Sequence, residues 1–126
     1  MQHIATTKHR RFFDILASTS DAQAAMMTLR PGQSTSDHVE NEHPRCEQWL
    51  YVIKGTGRAT VAKRTVALKP GSLLLIEKGE PHKITNTGRA QLVTLNVYVP
   101  PAYTAQGDVR PLAKVPSVLK ALHLKV

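Results

Sequence analysis

Residues 71–86 read GSLLLIEKGEPHKITN, and this run indicates how the rest of the chain is organised. A strand is predicted over Leu73–Ile76, after a Pro-Gly turn, and Lys78–Pro81 form the next turn. A second strand is predicted over His82–Asn86. Alternate residues of a strand share one face, so three side chains of this strand should point the same way: His82, Ile84 and Asn86. The run therefore predicts two short strands, the second of which presents an imidazole where it begins.

The same pattern of short apolar stretches between turns continues through the chain and predicts an all-β fold. The predicted strands are Phe12–Ala17, Ala24–Arg30, Trp49–Lys54, Arg58–Val61, Thr65–Leu68, Leu73–Ile76, His82–Asn86 and Gln91–Val99. A short C-terminal helical tail is predicted over Val115–Leu124. Regularly spaced short strands with little helix are typical of a β-sandwich or β-barrel. A length of 126 residues predicts a single domain over residues 1–126.

Composition limits the class of protein further. A content of 41% hydrophobic and 21% charged residues is typical of a soluble globular protein. The single cysteine, Cys46, leaves no internal disulfide and no cysteine-based zinc finger. The longest uncharged run, residues 90–107, contains two prolines and several amides, which argues against a membrane span. Residues 1–11 contain no apolar stretch typical of a secretory signal, so a cytoplasmic location is expected.

The charge of the chain is unevenly distributed. The net charge of +8 would suit a nucleic-acid-binding protein. Residues 37–47, however, hold four acids against one base and have a net charge of −3, which leaves +11 for the remainder. The same segment contains His38 and His43, whereas the basic residues elsewhere are scattered in the manner of a solvated surface. Nucleic acid is therefore only a third hypothesis for the partner, and the acidic segment is the better candidate for function.

The strand Trp49–Lys54 is apolar on both of its faces. These faces hold Leu50 and Val52 on one side and Trp49, Tyr51 and Ile53 on the other. A strand that is apolar on both sides is covered on both sides. One face should line the barrel, and the other should be covered by a second sheet, a neighbouring strand or a second subunit. We expect a homodimer on this basis.

The spacing within residues 71–86 resembles the second sequence motif of the cupin family, whose members are small double-stranded β-helix barrels. That motif has Gly, five residues, Pro, one residue, Gly, two residues, His, three residues and Asn. The chain matches it with Gly71, Gly79, His82 and Asn86, and Glu77 replaces the Pro. The resemblance covers residues 24–100 and implies a single jelly-roll-like cupin barrel.

The family's first motif also has a counterpart in this chain. That motif has Gly, five residues, His-any-His, three or four residues, Glu, six residues and Gly. Gly32 and His38 fit its opening, whereas His43 and Gly55 fit its closing. In the closing alignment, the first histidine position and the glutamate position are occupied by two amides, Asn41 and Gln48.

Metal-holding cupins use the residues of these positions as ligands. The resemblance therefore implies His43 and His82 as metal ligands. The candidates for the remaining positions are Gln48, His38 and Asn41, with Glu40 and Glu42 also within reach. Glu47 lies next to Gln48, and a bulge would turn it inward, so one of these two residues would complete the site or move a proton. Such ligands suit Fe, Mn, Ni or Zn without choosing between them.

The resemblance implies two alternative functions. In the first, the protein binds a divalent transition metal and a small organic molecule, with a metal-dependent dioxygenase or a sugar-type isomerase as the expected activity. In the second, it is a metal-free small-molecule-binding module, because Asn41 and Gln48 place neutral amides where charged or basic ligands are expected. Tyr98 and Tyr103 could either belong to the core or stack on the ligand.

Overall fold

Eight β-strands form the described part of the chain, which covers residues 1–114 in this computed structural model except the side chains of Leu112 and Lys114. The strands are β1 (Phe13–Ser18), β2 (Gln23–Leu29), β3 (Glu47–Lys54), β4 (Gly57–Val61), β5 (Arg64–Leu68), β6 (Leu73–Ile76), β7 (His82–Asn86) and β8 (Leu92–Val99). A single helical turn, α1 (Pro111–Lys114), follows them. The predicted all-β fold is confirmed, whereas the predicted helix over Val115–Leu124 lies outside the described residues.

The strands form two antiparallel sheets. One sheet has five strands in the order β1-β2-β8-β3-β6, and the other has three in the order β5-β4-β7. The chain passes from the first sheet to the second at Gly55, which has a φ of +88°. A Cβ atom at this position would lie 2.2 Å from the carbonyl oxygen of Gln91, so only glycine fits where the two sheets meet.

Strand β3 has one buried and one exposed face, as its alternating side chains require. Leu50 and Val52 are fully buried and face the interior of the barrel. The side chains on the other face are between 39 and 43% exposed: Trp49, Tyr51 and Ile53. The structure thus confirms that one face of this strand lines the barrel. The other face, which the sequence predicts to be covered, is left partly open by residues 1–114.

Aliphatic residues close one end of the barrel. This aliphatic end consists of Leu29, Leu50, Val52, Ala59, Leu68 and Leu92, which are nearly or fully buried. Asn86, only 1% exposed, ties the loops there together. Its amide nitrogen donates to the carbonyl oxygens of Leu29 and Ala90, both at 2.8 Å, and its Oδ1 accepts from the backbone of Gly88. The last residue of the second motif is therefore a structural clamp, remote from the imidazole where the motif's strand begins.

Within residues 1–114, none of the helical segments is long and apolar enough to cross a membrane.

Candidate metal and ligand site

A cavity of about 340 Å³ opens at the end of the barrel where β3 and β7 begin and β8 ends. The strand starts carry Gln48 and His82, and the end of β8 carries Tyr98. One part of the lining is apolar and consists of Phe12, Phe13, Met27 and Ile84. The polar part includes His43, Gln48, His82, Tyr98, Tyr103, Glu40 and Glu42. The residues of both sequence motifs therefore meet in one cavity.

The long loop between β2 and β3 brings His43 to the cavity because it is fastened to β7. Isolated bridges join Ser34 to Thr85 and Glu40 to His82. Asn41 then turns the chain, because its Oδ1 accepts from the backbone N–H of His43 at 2.9 Å. Its amide nitrogen donates to the carbonyl oxygen of Glu80 at 3.0 Å. These contacts hold the loop against the turn that precedes β7.

Two imidazoles face each other in the cavity. The ring centroids of His43 and His82 are 5.2 Å apart. His43 is 2% exposed, and its buried Nδ1 forms no hydrogen bond within the described chain. The Nδ1 of His82 lies 3.0 Å from the carbonyl oxygen of Glu80, which can only accept a hydrogen bond. The neutral His82 ring therefore keeps its lone pair on Nε2, and a backbone carbonyl fixes its orientation, as is common for metal-ligating histidines.

Burial keeps both imidazoles neutral. It lowers the pKa of His43 from 6.5 to about 4, and the neighbouring His82 adds to this shift. Burial also lowers the pKa of His82, although the carbonyl of Glu80 and the carboxylate of Glu42 oppose the change. A neutral imidazole is the form that binds a metal or accepts a hydrogen bond.

A chain of hydrogen bonds orients Gln48, which is 3% exposed. Its Nε2 donates to the Oδ1 of Asn96 at 2.9 Å, and the Nδ2 of Asn96 donates to the Oγ1 of Thr94, also at 2.9 Å. The hydroxyl of Thr94 in turn donates to the carbonyl of Met27 at 3.3 Å. The Oε1 of Gln48 is left without a partner in the described chain and is a buried acceptor at the cavity.

Two tyrosines stand beside the imidazoles. The ring centroids of Tyr98 and Tyr103 lie 5.2 and 5.9 Å from that of His43. Burial raises the pKa of Tyr98 well above 10, and burial together with the carboxylate of Glu42 raises the pKa of Tyr103. Both hydroxyls are therefore protonated at neutral pH. Since the Tyr98 hydroxyl interacts with that of Tyr103 as a donor, the Tyr103 hydroxyl is the one left to donate a hydrogen bond to a ligand.

The structure brings five of the candidate residues named from the sequence to one cavity: His43, Gln48, His82, Glu40 and Glu42. The other three are placed elsewhere: His38 is exposed on the loop and does not line the cavity. Asn41 uses both ends of its amide on backbone groups instead of continuing an extended segment towards the site. Glu47 lies on the outer face of β3, where its carboxylate accepts from the indole N–H of Trp49 at 3.2 Å.

Sequence reasoning did not identify Thr94 and Asn96 as supports of the site. A signal was present, because polar residues at these alternate positions of an otherwise apolar strand indicate a polar inner face. Which residue they support could not be read from the pattern, since Gln48 and Asn96 are 48 residues apart in the chain.

The donor set fits a divalent transition metal, although less strongly than a set with a carboxylate. Within residues 1–114, no three His, Cys, Asp or Glu side chains are grouped so that they could hold a metal ion. The available donors are instead two imidazoles and the amide oxygen of Gln48, which line one cavity. The two unpartnered atoms, His43 Nδ1 and Gln48 Oε1, show that the protein itself does not satisfy this set.

Two antiparallel sheets that close at one end and open into a polar cavity at the other define a small double-stranded β-helix protein. Residues 25–98 match the sequence model of Cupin_2, a cupin domain. The chain belongs to this family, as its two motifs predict.

Three proteins illustrate what the chain is similar to. The tetracenomycin polyketide synthase protein TcmJ of Streptomyces glaucescens is 33% identical over 60 residues, which is 48% of this chain and 38% of that protein. The solved structure of BH2720 from Bacillus halodurans has a TM-score of 0.72 at 25% identity and covers 83% of this chain and 81% of its own. A predicted oxalate decarboxylase from Thermotoga maritima has a TM-score of 0.61 at 26% identity, over 71% of this chain and 79% of its own.

Proposed function

We propose that this protein holds a divalent transition metal, Fe, Mn, Ni or Zn, at His43, His82 and Gln48 and binds a small organic molecule beside it. The observation that carries the proposal is the pair of buried, neutral imidazoles whose rings lie 5.2 Å apart in the cavity. When bound, the metal supplies Lewis-acid chemistry that polarises an oxygen of the substrate. By resemblance to the family, the reaction is that of a dioxygenase or a sugar-type isomerase.

The residues of the chain have separate tasks in this proposal. The Asn96–Thr94 chain orients Gln48, and the Glu80 carbonyl orients His82. Tyr103 donates a hydrogen bond to an oxygen atom of the bound molecule, and Tyr98 supports the Tyr103 hydroxyl. Gln48 cannot move a proton because an amide does not titrate near neutral pH. Since Glu47 lies on the outer face, we assign proton transfer to Glu42, a carboxylate that lines the cavity.

Elemental analysis of protein purified without chelator tests the metal. We expect a transition metal in the wild-type protein and its loss in the double variant His43→Ala/His82→Ala. A matched control is His38→Ala/His9→Ala, which removes two imidazoles outside the cavity and should keep the metal. The proposal is wrong if the wild-type protein carries no metal, or if the cavity variant carries as much metal as the control.

A second candidate function is a metal-free binding module, which the contacts of Gln48 favour. This amide stands at the position where metal-holding cupins have a glutamate, and its Nε2 is already engaged by Asn96. Such a module binds its ligand equally well before and after treatment with chelator. The variant Gln48→Leu separates the two candidates, because loss of the amide oxygen should lower metal content only if the site holds a metal. Glu47→Gln is the matched control on the outer face.

A further inference from the structure

The cavity carries charge of only one sign. The chain contains 17 lysines and arginines, but none of them is among the described side chains that line the cavity. Its charged lining residues are Glu40 and Glu42, on the loop before β3. Both side chains are exposed. An anionic ligand would therefore meet two carboxylates as it enters and find no cation among the described lining side chains, at a cost in free energy that water partly screens.

A bound divalent metal would add positive charge, because its three protein donors, two imidazoles and an amide, are neutral. The charge balance therefore applies to the metal-free cavity. Without a metal the carboxylates leave the cavity negative. The deeper lining is apolar, with Phe13, Met27 and Ile84, and offers packing surface to an uncharged molecule.

We propose that the metal-free cavity selects uncharged small molecules with an apolar body over carboxylates and phosphate esters. This inference rests on the proposed function of the same cavity as a ligand site. It concerns the metal-free protein and is tested on it.

Equilibrium dialysis of the metal-free protein with two probes of equal shape tests the selection. The probes are 2-naphthylmethanol, which is uncharged, and 2-naphthoate, which carries one negative charge. We expect the alcohol to bind about tenfold more tightly to the wild-type protein, as expected for one charge repelled at intermediate dielectric. The double variant Glu40→Gln/Glu42→Gln should lose most of this preference through stronger binding of naphthoate.

The control is Asp37→Asn, which neutralises an exposed carboxylate on the same loop outside the cavity lining and should keep the full preference. Equal or tighter binding of naphthoate by the wild-type protein overturns the inference. Failure of both probes to bind overturns it as well. The metal analysis is independent of these results, so a protein that holds metal but binds neither probe would contradict the selection and leave the metal site standing.

A different observation carries a second inference, about the apolar outer face of the five-stranded sheet. This face consists of Trp49, Tyr51 and Ile53 of β3 and Leu73 and Leu75 of β6, with exposed fractions between 38 and 63%. The residues form one patch because Trp49 pairs with Leu75 and Tyr51 with Leu73. In addition, β6 pairs only with β3 among the described strands and so presents an open edge. Such an apolar edge is normally covered.

The charges at the two ends of the outer face favour a second copy of this chain as its cover. Glu47 and Glu77 lie at one end, beside Lys78, because Gln48 pairs with Ile76. Lys54 and Lys69 lie at the other end, and all of these side chains are at least partly exposed. A two-fold axis that lies in the interface and runs across the strands would place the carboxylates of one copy next to the ammonium groups of its partner.

We infer that two copies of the chain pack through their apolar outer faces, antiparallel about such an axis. Sedimentation velocity at micromolar concentration should show a dimer for the wild-type protein. Leu73→Glu should give a monomer, because it buries two charges in a self-complementary contact. Val66→Glu is the matched control, since Val66 is 40% exposed on β5 of the other sheet, and it should remain dimeric.

The charge pattern has its own test within the same experiment. Glu47→Lys should weaken the dimer several-fold, and the additional change Lys54→Glu should restore it, because the ion pair between positions 47 and 54 of the two copies then forms again with its signs exchanged. A monomeric wild-type protein overturns the inference. A monomeric wild type in which Leu73→Glu lowers the melting temperature more than Val66→Glu does would show instead that another part of the chain covers the face.

Discussion

Asn86 at one end of the barrel and the pair His43 and Gln48 at the other end differ in whether their buried polar atoms are hydrogen-bonded. At the aliphatic end, Asn86 forms three hydrogen bonds and the apolar side chains fill the interior. At the cavity end, His43 and Gln48 are almost equally buried, yet each keeps an atom without a partner. An unpartnered buried polar group costs roughly 1–3 kcal/mol. The comparison shows that one end contributes stability, whereas the other leaves two buried atoms unpartnered at a cost in stability, as the proposed ligand site would require.

The largest effect on the free energy of unfolding is expected at the aliphatic end. Leu50→Ala removes a fully buried side chain from β3 and should lower the free energy of unfolding by about 2–5 kcal/mol. Metal content per folded molecule should stay unchanged, because Leu50 does not line the cavity. Denaturant titration measures the first quantity and elemental analysis the second. Val66→Ala, on an exposed face, is the control and should cost less than about 1 kcal/mol.

The cavity end should instead control how stability depends on pH. The folded pKa of His43, about 4, lies below its ordinary value of 6.5, so between these values the unfolded chain binds more protons. The free energy of unfolding should therefore fall as the pH drops from 6.5 to 4, by about 3 kcal/mol for this group. The lowered pKa of His82 acts in the same direction. This is an expectation for the metal-free protein.

Denaturant titrations of metal-free protein at several pH values check this dependence. His43→Gln should flatten the profile, whereas His38→Gln, on the exposed loop, should leave it as steep as in the wild type. Equal slopes for the wild type and His43→Gln would contradict the assignment of the pH dependence to the cavity.

The smallest effect on the free energy of unfolding is expected at the cavity end, where Asn41 fastens the loop between β2 and β3. Asn41→Ala removes the hydrogen bonds to Glu80 and His43 and should cost about 1–2 kcal/mol. Because Asn41 positions His43, metal affinity should also fall several-fold, as titration of the metal-free protein would show. Asp37→Ala, in the same loop, should change neither quantity. If the two variants behave alike, the loop does not depend on this turn.

The fold could be predicted from local patterns to a large extent. The second motif placed β6 and β7 within the bounds that the structure shows, because turn residues and apolar runs are local signals. The two apolar faces of β3 predicted that one of them lines the barrel but did not indicate which, and the strand begins two residues earlier than expected, at Glu47 rather than Trp49.

The candidate site could be predicted only in part. The spacing of the motifs identified His43, Gln48 and His82, which the structure brings to one cavity. The spacing could not show that the Asn41 amide is hydrogen-bonded to backbone groups or that Asn96 orients Gln48. Both arrangements depend on contacts between distant segments. Such contacts follow from the path of the loop and the register of β3 with β8, which no local pattern encodes.

The two bridges that fasten the loop before β3 to β7 also bear on how new binding preferences could be built into this barrel. Ser34 and Glu40 are the fixed points, and both hold to a strand whose other end is clamped by Asn86. Thr35 is also fixed, because its backbone N–H donates to the carbonyl of Ile84 and its hydroxyl accepts from the backbone N–H of Ile84. We expect that residues 36–39 can be lengthened or changed without displacing the imidazoles. A library of insertions at the exposed Asp37 and His38 would thus vary the mouth of the cavity on an unchanged scaffold.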